Sequence, residues 1–319
     1  MTDQPLTDPV GNARRRLTTP PRPKRRRQGR LAPYLLLSPA LIIVLAIFGV
    51  PLIVMFILSL QNWNSIGQFT STLQGAWTGF TNYSTELTSG VFWSTTVRTV
   101  FVSVLMVGGS MIIGLLFALL MRQISTWARY LMTFALILVW SIPALVSTLV
   151  FQWMFNRQYG IVNDLLGYSG VHDWLTSETD GWFIVIILVI WGAVPMVTIM
   201  MYAALTQVPK ELVEAAEIDG ANRWQTFRSV VEPIIRPVVL IMTSLSIFWD
   251  FQVFTQIFVL FSNQPQTQFY NLGVWSYVLG WQHQNYGIAT TITVLTMMVM
   301  LVITIPYLRQ LIRIGGDSK

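Results

Sequence analysis

Asp250 is an ionisable residue set in a long apolar run, between Trp249 and Phe251, with Gln252 and Gln256 close by. A carboxylate at membrane depth costs several kcal/mol unless it faces a polar cavity or a partner. Three chemistries follow. Asp250 lines a solute pathway and accepts hydrogen bonds from hydroxyl groups, or it bonds to a neighbouring helix and holds a bundle together, or it carries a proton as the coupling site of an ion-driven carrier. The third needs a relay partner, and no base or histidine lies near it in the chain. Trp249, Asp250 and Gln252 together suit a sugar. A pyranose offers apolar faces to an aromatic ring and a polar rim to an acid and an amide.

Other chemistry is missing from the sequence. There is no cysteine, which excludes disulfides, thiolate catalysis and zinc–thiolate sites. The histidines are His172 and His283 alone, and no HExxH, GxSxG or acidic metal cluster occurs, so neither catalytic nor metal-binding residues are expected. The lysines are Lys24, Lys210 and Lys319, and none stands in GxxxxGK[ST]. A phosphate-binding loop is therefore absent. If transport through this chain is driven by ATP, a partner binds the ATP and magnesium, and the chain itself needs no cofactor.

The elements that position Asp250 are membrane spans. Of 319 residues, 53% are hydrophobic and only 11% charged, and mean hydropathy is +0.56. Soluble domains carry about twice that charge. Several runs exceed the roughly 18 apolar residues that a spanning helix needs. The expected fold is all-α and polytopic, with about six transmembrane helices near Tyr34–Leu60, Val97–Met121, Tyr130–Phe155, Phe183–Leu205, Val238–Phe261 and Ile288–Leu308. Pro39, Pro51 and Pro195 lie inside spans, and the third span is expected to break near Pro143. Ser110, Gly114 and Ala118 form a small-residue stripe suited to close helix contact. Residues 61–96 form a loop rich in aromatics, among them Trp63, Phe69 and Trp77. The loops 156–182 and 262–287 are the other large connections on that side.

Charge placement gives the orientation. Residues 1–30 hold nine Arg and Lys and several prolines, and read as a disordered basic tail attracted to anionic lipid rather than to nucleic acid. With that tail cytoplasmic, Arg122, Arg129, Lys210, Arg223, Arg228, Arg236, Arg309, Arg313 and Lys319 also fall inside. Only Arg98 and Arg157 fall outside. Both termini are then cytoplasmic in a cell-membrane protein. Its parts are the tail 1–30, a first helix and outer loop over 31–96, a transmembrane core over 97–314 and a short tail over 315–319.

One stretch inside the core is unlike the rest. Residues 209–237 hold the acids Glu211, Glu214, Glu217, Asp219 and Glu232 and the bases Lys210, Arg223, Arg228 and Arg236. The spacing predicts two short helices. Pro209 suits a first turn. Leu212, Ala215 and Ala216 share one face, against Lys210, Glu214 and Glu217. Gly220 supplies the left-handed stop. Asn222 caps the second helix with Gln225 as return partner. Trp224, Phe227 and Val231 fall on one side, and Pro233 is expected to end that helix. Crossing a bilayer does not require such a hairpin, so something on the inner side holds it.

Glu214-Ala215-Ala216, three residues, Gly220, nine residues, Val230 and then Pro233 resemble the EAA signature of membrane subunits of binding-protein-dependent ABC importers. Asp219-Gly220-Ala221 and Phe227 are similar to that family, whereas Glu232 stands where an apolar residue is usual. Gly79-Phe80-Thr81-Asn82-Tyr83 with Phe92-Trp93, Gly114-Leu115-Leu116-Phe117-Ala118-Leu119, and Phe251-Gln252-Val253-Phe254 with Val259-Leu260 resemble its sugar-type branch, the maltose and glycerol-phosphate permeases. The resemblance implies a type I importer permease fold and a second permease of the same kind, forming a heterodimer. It also implies two ATPase subunits and an extracytoplasmic solute-binding protein. Residues 209–237 would be the coupling helix that docks on the ATPase, through Glu214, Ala215, Ala216, Asp219, Gly220, Ala221, Arg223, Phe227 and Pro233. Carried over by position from maltose-type permeases, the sugar site is Ser246, Trp249, Asp250 and Val253 in span 5, with Gly192, Ala193 and Met196 in span 4 and Ser147 in span 3. Gln252 joins it on the chemistry given above. For Gly192 and Ala193, plain helix packing is the rival reading. Glycerol phosphate or a glycerophosphodiester is the alternative substrate, although spans 3 to 5 offer no basic residue for it.

Overall fold

The computed structural model describes residues 32–65, 76–168 and 170–316. The basic tail over 1–30 and Phe69 lie outside them. The chain divides into two units after Pro51.

In the first unit, α1 (Ala32–Val44) continues through a π turn (Leu45–Gly49) into α2 (Val50–Ser59), which runs on into the second unit. The stretch Tyr34–Ser59 is long and apolar enough to cross a membrane. Pro51 lies just beyond the π turn. A proline has no N–H to return to the previous turn, and a widened turn before it accommodates that loss.

The second unit opens with a small antiparallel pair, β1 (Gln61–Asn62) and β2 (Ala76–Trp77), with Gln61 opposite Trp77. Next come α3 (Thr81–Thr88) and α4 (Gly90–Gln123). The span begins earlier than hydropathy suggests: Phe92 and Trp93 are already helical, because Ser89 caps the helix by accepting from the Phe92 N–H. α5 (Thr126–Ser141) and α6 (Ala144–Met154) meet at 94°. This is the break expected at Pro143. Ile142 before it is extended, as a residue preceding proline prefers. Arg129 ties the turn before α5 to the end of α4 by donating to the Met121 carbonyl at 2.8 Å and the Ile124 carbonyl at 3.2 Å.

α7 (Ile161–Leu166) lies in the loop before α8 (Glu178–Thr206). Asn163 organises that loop, donating to the carbonyls of Asn156, Arg157 and His172 and accepting from Trp174 Nε1. α8 packs along α4, and the predicted small-residue stripe is the contact. Ser110, Gly114 and Ala118 are buried there, and a Cβ on Gly114 would lie 2.5 Å from Val197 Cγ1.

α9 (Lys210–Ile218), α10 (Arg223–Thr226), a π turn (Phe227–Val231) and α11 (Glu232–Phe251) follow. Here the structure corrects the reading of Pro233. The helix does not stop there but runs unbroken from Arg223 to Phe251. As at Pro51, a π turn ends two residues before the proline. The fifth span is therefore displaced toward the N-terminus relative to 238–261. It ends at Phe251, and Thr255–Leu260 form a separate short helix, α12. The loop beyond holds α13 (Leu272–Tyr277) and a π turn (Val278–Gln282), before α14 (Tyr286–Gly316). Among the described residues, five helices are long and apolar enough to span, and the bent α5–α6 pair makes a sixth.

Candidate functional site

Ser246, Trp249, Asp250 and Val253 lie at helical spacing on one stripe. α11 ends just after Asp250, so this stripe reaches the break between α11 and α12. It faces α8 where Pro195 interrupts the hydrogen-bond ladder; that proline lacks the N–H that would meet the Trp191 carbonyl. The kink at Pro143 brings the start of α6 to the same place. Together these elements enclose a cavity of about 350 Å³.

Ser147, Gly192, Ala193 and Met196 line this cavity with Ser246, Trp249, Asp250 and Val253. Gln252 does not. It stands two residues past Asp250, on the opposite side of the chain, and its amide reaches Met300 Sδ at 3.6 Å. Gln256 lines the cavity in its place, with Trp140 and Trp191. Neither indole was singled out from the sequence as a ligand contact. Trp140 lies in the last turn of α5, just before the bend at Pro143.

Asp250 is 6% exposed. Its Oδ2 is enclosed and has no hydrogen-bond partner among the described residues, while its backbone carbonyl accepts from Ser103 Oγ at 3.4 Å. Asp250 is thus not tied to a neighbouring helix through its carboxylate. Gly192 behaves unlike a packing glycine: a Cβ there would meet nothing within 4 Å. Among the described residues, no Lys, Arg or His lines the cavity.

The second region is the charged hairpin. Gly220 has φ +84°, the left-handed conformation its position demands. The Ala221 N–H returns to the Ala216 carbonyl and the Gly220 N–H to Glu217, closing a Schellman turn. Asn222 and Gln225 form the reciprocal capping box, with bonds of 2.8 and 2.9 Å. The inward face differs from the expected one. Val213 and Phe227 pack on the cluster around Met201 and Leu205, whereas Leu212 is exposed and Ile218 and Trp224 are 85% and 67% exposed. Trp224 stacks on Phe227 with ring centroids 6.0 Å apart. Among the described residues, no ion pair involves the acids or bases of residues 209–237.

Known proteins resemble this chain in sequence and in fold. Residues 110–314 match the family described as binding-protein-dependent transport system inner membrane component. The diacetylchitobiose uptake system permease protein DasB of Streptomyces coelicolor is 37% identical over 92% of this chain and 90% of its own length. The trehalose/maltose transport system permease protein MalF of Thermococcus litoralis is 31% identical over 86% and 92%. A chain from the crystal structure of a bacterial ABC transporter that imports the acidic polysaccharide alginate is similar with a TM-score of 0.73. It is 25% identical and covers 88% of this chain and 95% of that one. With its apolar spanning helices and this match over most of its length, the chain is a multi-pass inner-membrane protein and belongs to the binding-protein-dependent transport system inner membrane component family.

Proposed function

We propose that this chain is one of two permease subunits of an ABC importer for a mono-, di- or oligosaccharide. A solute-binding protein delivers the sugar at the outer face. The cavity at Ser147, Gly192, Ala193, Met196, Ser246, Trp249, Asp250 and Val253 is this subunit's part of the pathway. Two partner ATPases bind ATP and magnesium and move the hairpin 209–237, and the spans expose the cavity to each side in turn. The chain is a translocation subunit rather than an enzyme. Both termini and the hairpin are cytoplasmic, by the distribution of Arg and Lys.

The observation that carries the reading is the hairpin. Its two helices are locked by a Schellman turn and a capping box, yet it leaves its charges unpaired and Ile218 and Trp224 in the open. Such a rigid surface suits docking on another protein. The sugar assignment rests on the substrates named for DasB and MalF and on a cavity of indoles, hydroxyls and one acid. A cavity without a basic group does not suit glycerol phosphate.

The test is Gly220→Val. Valine in a left-handed conformation costs about 1–2 kcal/mol, enough to distort the turn without unfolding the spans. Membrane insertion is expected to persist, while ATPase association and sugar uptake fall together. Unchanged association and uptake would overturn the docking role.

A further inference from the structure

The next step rests on the sugar-pathway reading and narrows it. We infer that the cavity selects a solute carrying a protonated amine, which within the sugars means an amino sugar with a free ammonium group.

Two features of the lining lead there. Asp250 is more than nine-tenths buried, one of its carboxylate oxygens is fully enclosed, and no hydrogen bond or ion pair reaches its carboxylate among the described residues. The same cavity contains no Lys, Arg or His to balance it. A buried charge without a partner is costly, and a ligand that supplies the opposite charge recovers that cost on binding. The rest of the wall points the same way. Trp140, Trp191 and Trp249 all line the cavity, and the face of an indole attracts a cation. Three indoles and one carboxylate line the cavity, and among the described residues no positive group does. An anionic saccharide is repelled by the carboxylate. A neutral saccharide offers the carboxylate hydroxyl hydrogen bonds but no opposite charge. An ammonium group pairs with Asp250 through charge-assisted hydrogen bonds, and Ser246 and Gln256 remain for the ring hydroxyls. At about 350 Å³ the space falls within the usual size of small-ligand sites.

Three β-1,4 disaccharides that differ at C2 test this: chitobiose with free amines, its N,N′-diacetyl form, and cellobiose with hydroxyls. Equilibrium binding is measured at pH 6.5 on the complete transporter in lipid nanodiscs. The isolated solute-binding protein is measured in parallel, so that its own preference is known. The free-amine sugar is expected to bind the transporter at least about tenfold tighter than cellobiose, beyond any preference of the binding protein. Asp250→Asn is expected to abolish that ratio and Asp250→Glu to keep it. If Asp250→Asn does not assemble, Trp249→Leu serves instead and is expected to reduce the ratio. Equal affinity for amine and hydroxyl sugars overturns the inference and leaves the importer reading intact, as does a ratio that survives Asp250→Asn or, where that variant does not assemble, Trp249→Leu. Failure of all three to bind, with uptake of no saccharide, overturns the sugar reading as well.

Discussion

Glu86 is a buried acid with a cost. It lies on α3, is 6% exposed, and its Oε2 has no hydrogen-bond partner among the described residues. Burial raises its carboxyl above the ordinary value of 4.5. The folded protein therefore holds this proton more tightly than the unfolded chain, and stability falls as pH rises through the raised value. Below 4.5 both states are protonated and the effect is gone. Glu86→Gln removes the charge but keeps the shape. It is expected to raise stability by about 1–3 kcal/mol on the alkaline side of that window and to change nothing below it. Thermal unfolding of the purified transporter between pH 4 and 8 reads this directly; a gain that does not shrink with acid would exclude the cause given. The sequence offered no sign of Glu86, because an eight-residue helix with one acid is indistinguishable from a solvated turn until its neighbours are known. Gly220, Asn222 and Gln225 were legible for the opposite reason. Their interactions close within six residues, so spacing alone specifies them.

Among the elements, what could be read and what could not divides along the same line. Hydropathy located the spans, the fifth only over 238–251, and Pro143 located the bend. Pro233 was misread as a stop because a proline inside a helix usually breaks it. The chain instead widens into a π turn at Phe227–Val231, and the same device precedes Pro51. Two glycines show how an element's surroundings decide a residue's role. At Gly114 an added Cβ would press 2.5 Å from Val197 Cγ1 and 3.3 Å from the backbone nitrogen of Thr198. Backbone yields little, so Gly114→Ala is expected to destabilise the α4–α8 pair by about 1–3 kcal/mol, seen as a lower Tm. At Gly192 an added Cβ meets nothing. Gly192→Phe is expected to leave Tm unchanged and to reduce sugar uptake several-fold by filling the cavity. If the two variants exchange these outcomes, Gly192 is the packing glycine and the cavity is misassigned.

At the scale of the whole molecule the charges and the exposed apolar surface point to one topology. Leu131, Phe101 and Ile112 are exposed on the spans as lipid-facing residues are, while Ile218 and Trp224 are exposed on a hairpin rich in charge. Hydrocarbon does not accept that hairpin, and its exposed isoleucine and indole suit a protein partner. A protein surface on the side of the basic residues meets both conditions, and the proposed orientation puts the hairpin and the loop after α12 on opposite sides of the membrane. The chain has no cysteine, so single-cysteine variants report position without background. Glu217 on the hairpin and Gln264 in the loop after α12 are both exposed and make no ion pair among the described residues. In spheroplasts, a membrane-impermeant maleimide is expected to label Gln264→Cys at once and Glu217→Cys only after permeabilisation. Adding the partner ATPase to permeabilised membranes is expected to slow labelling at Glu217→Cys and leave Gln264→Cys unaffected. Labelling of Glu217→Cys in sealed spheroplasts would place the hairpin outside, beyond reach of any ATP-driven partner, and the coupling role would fall with it.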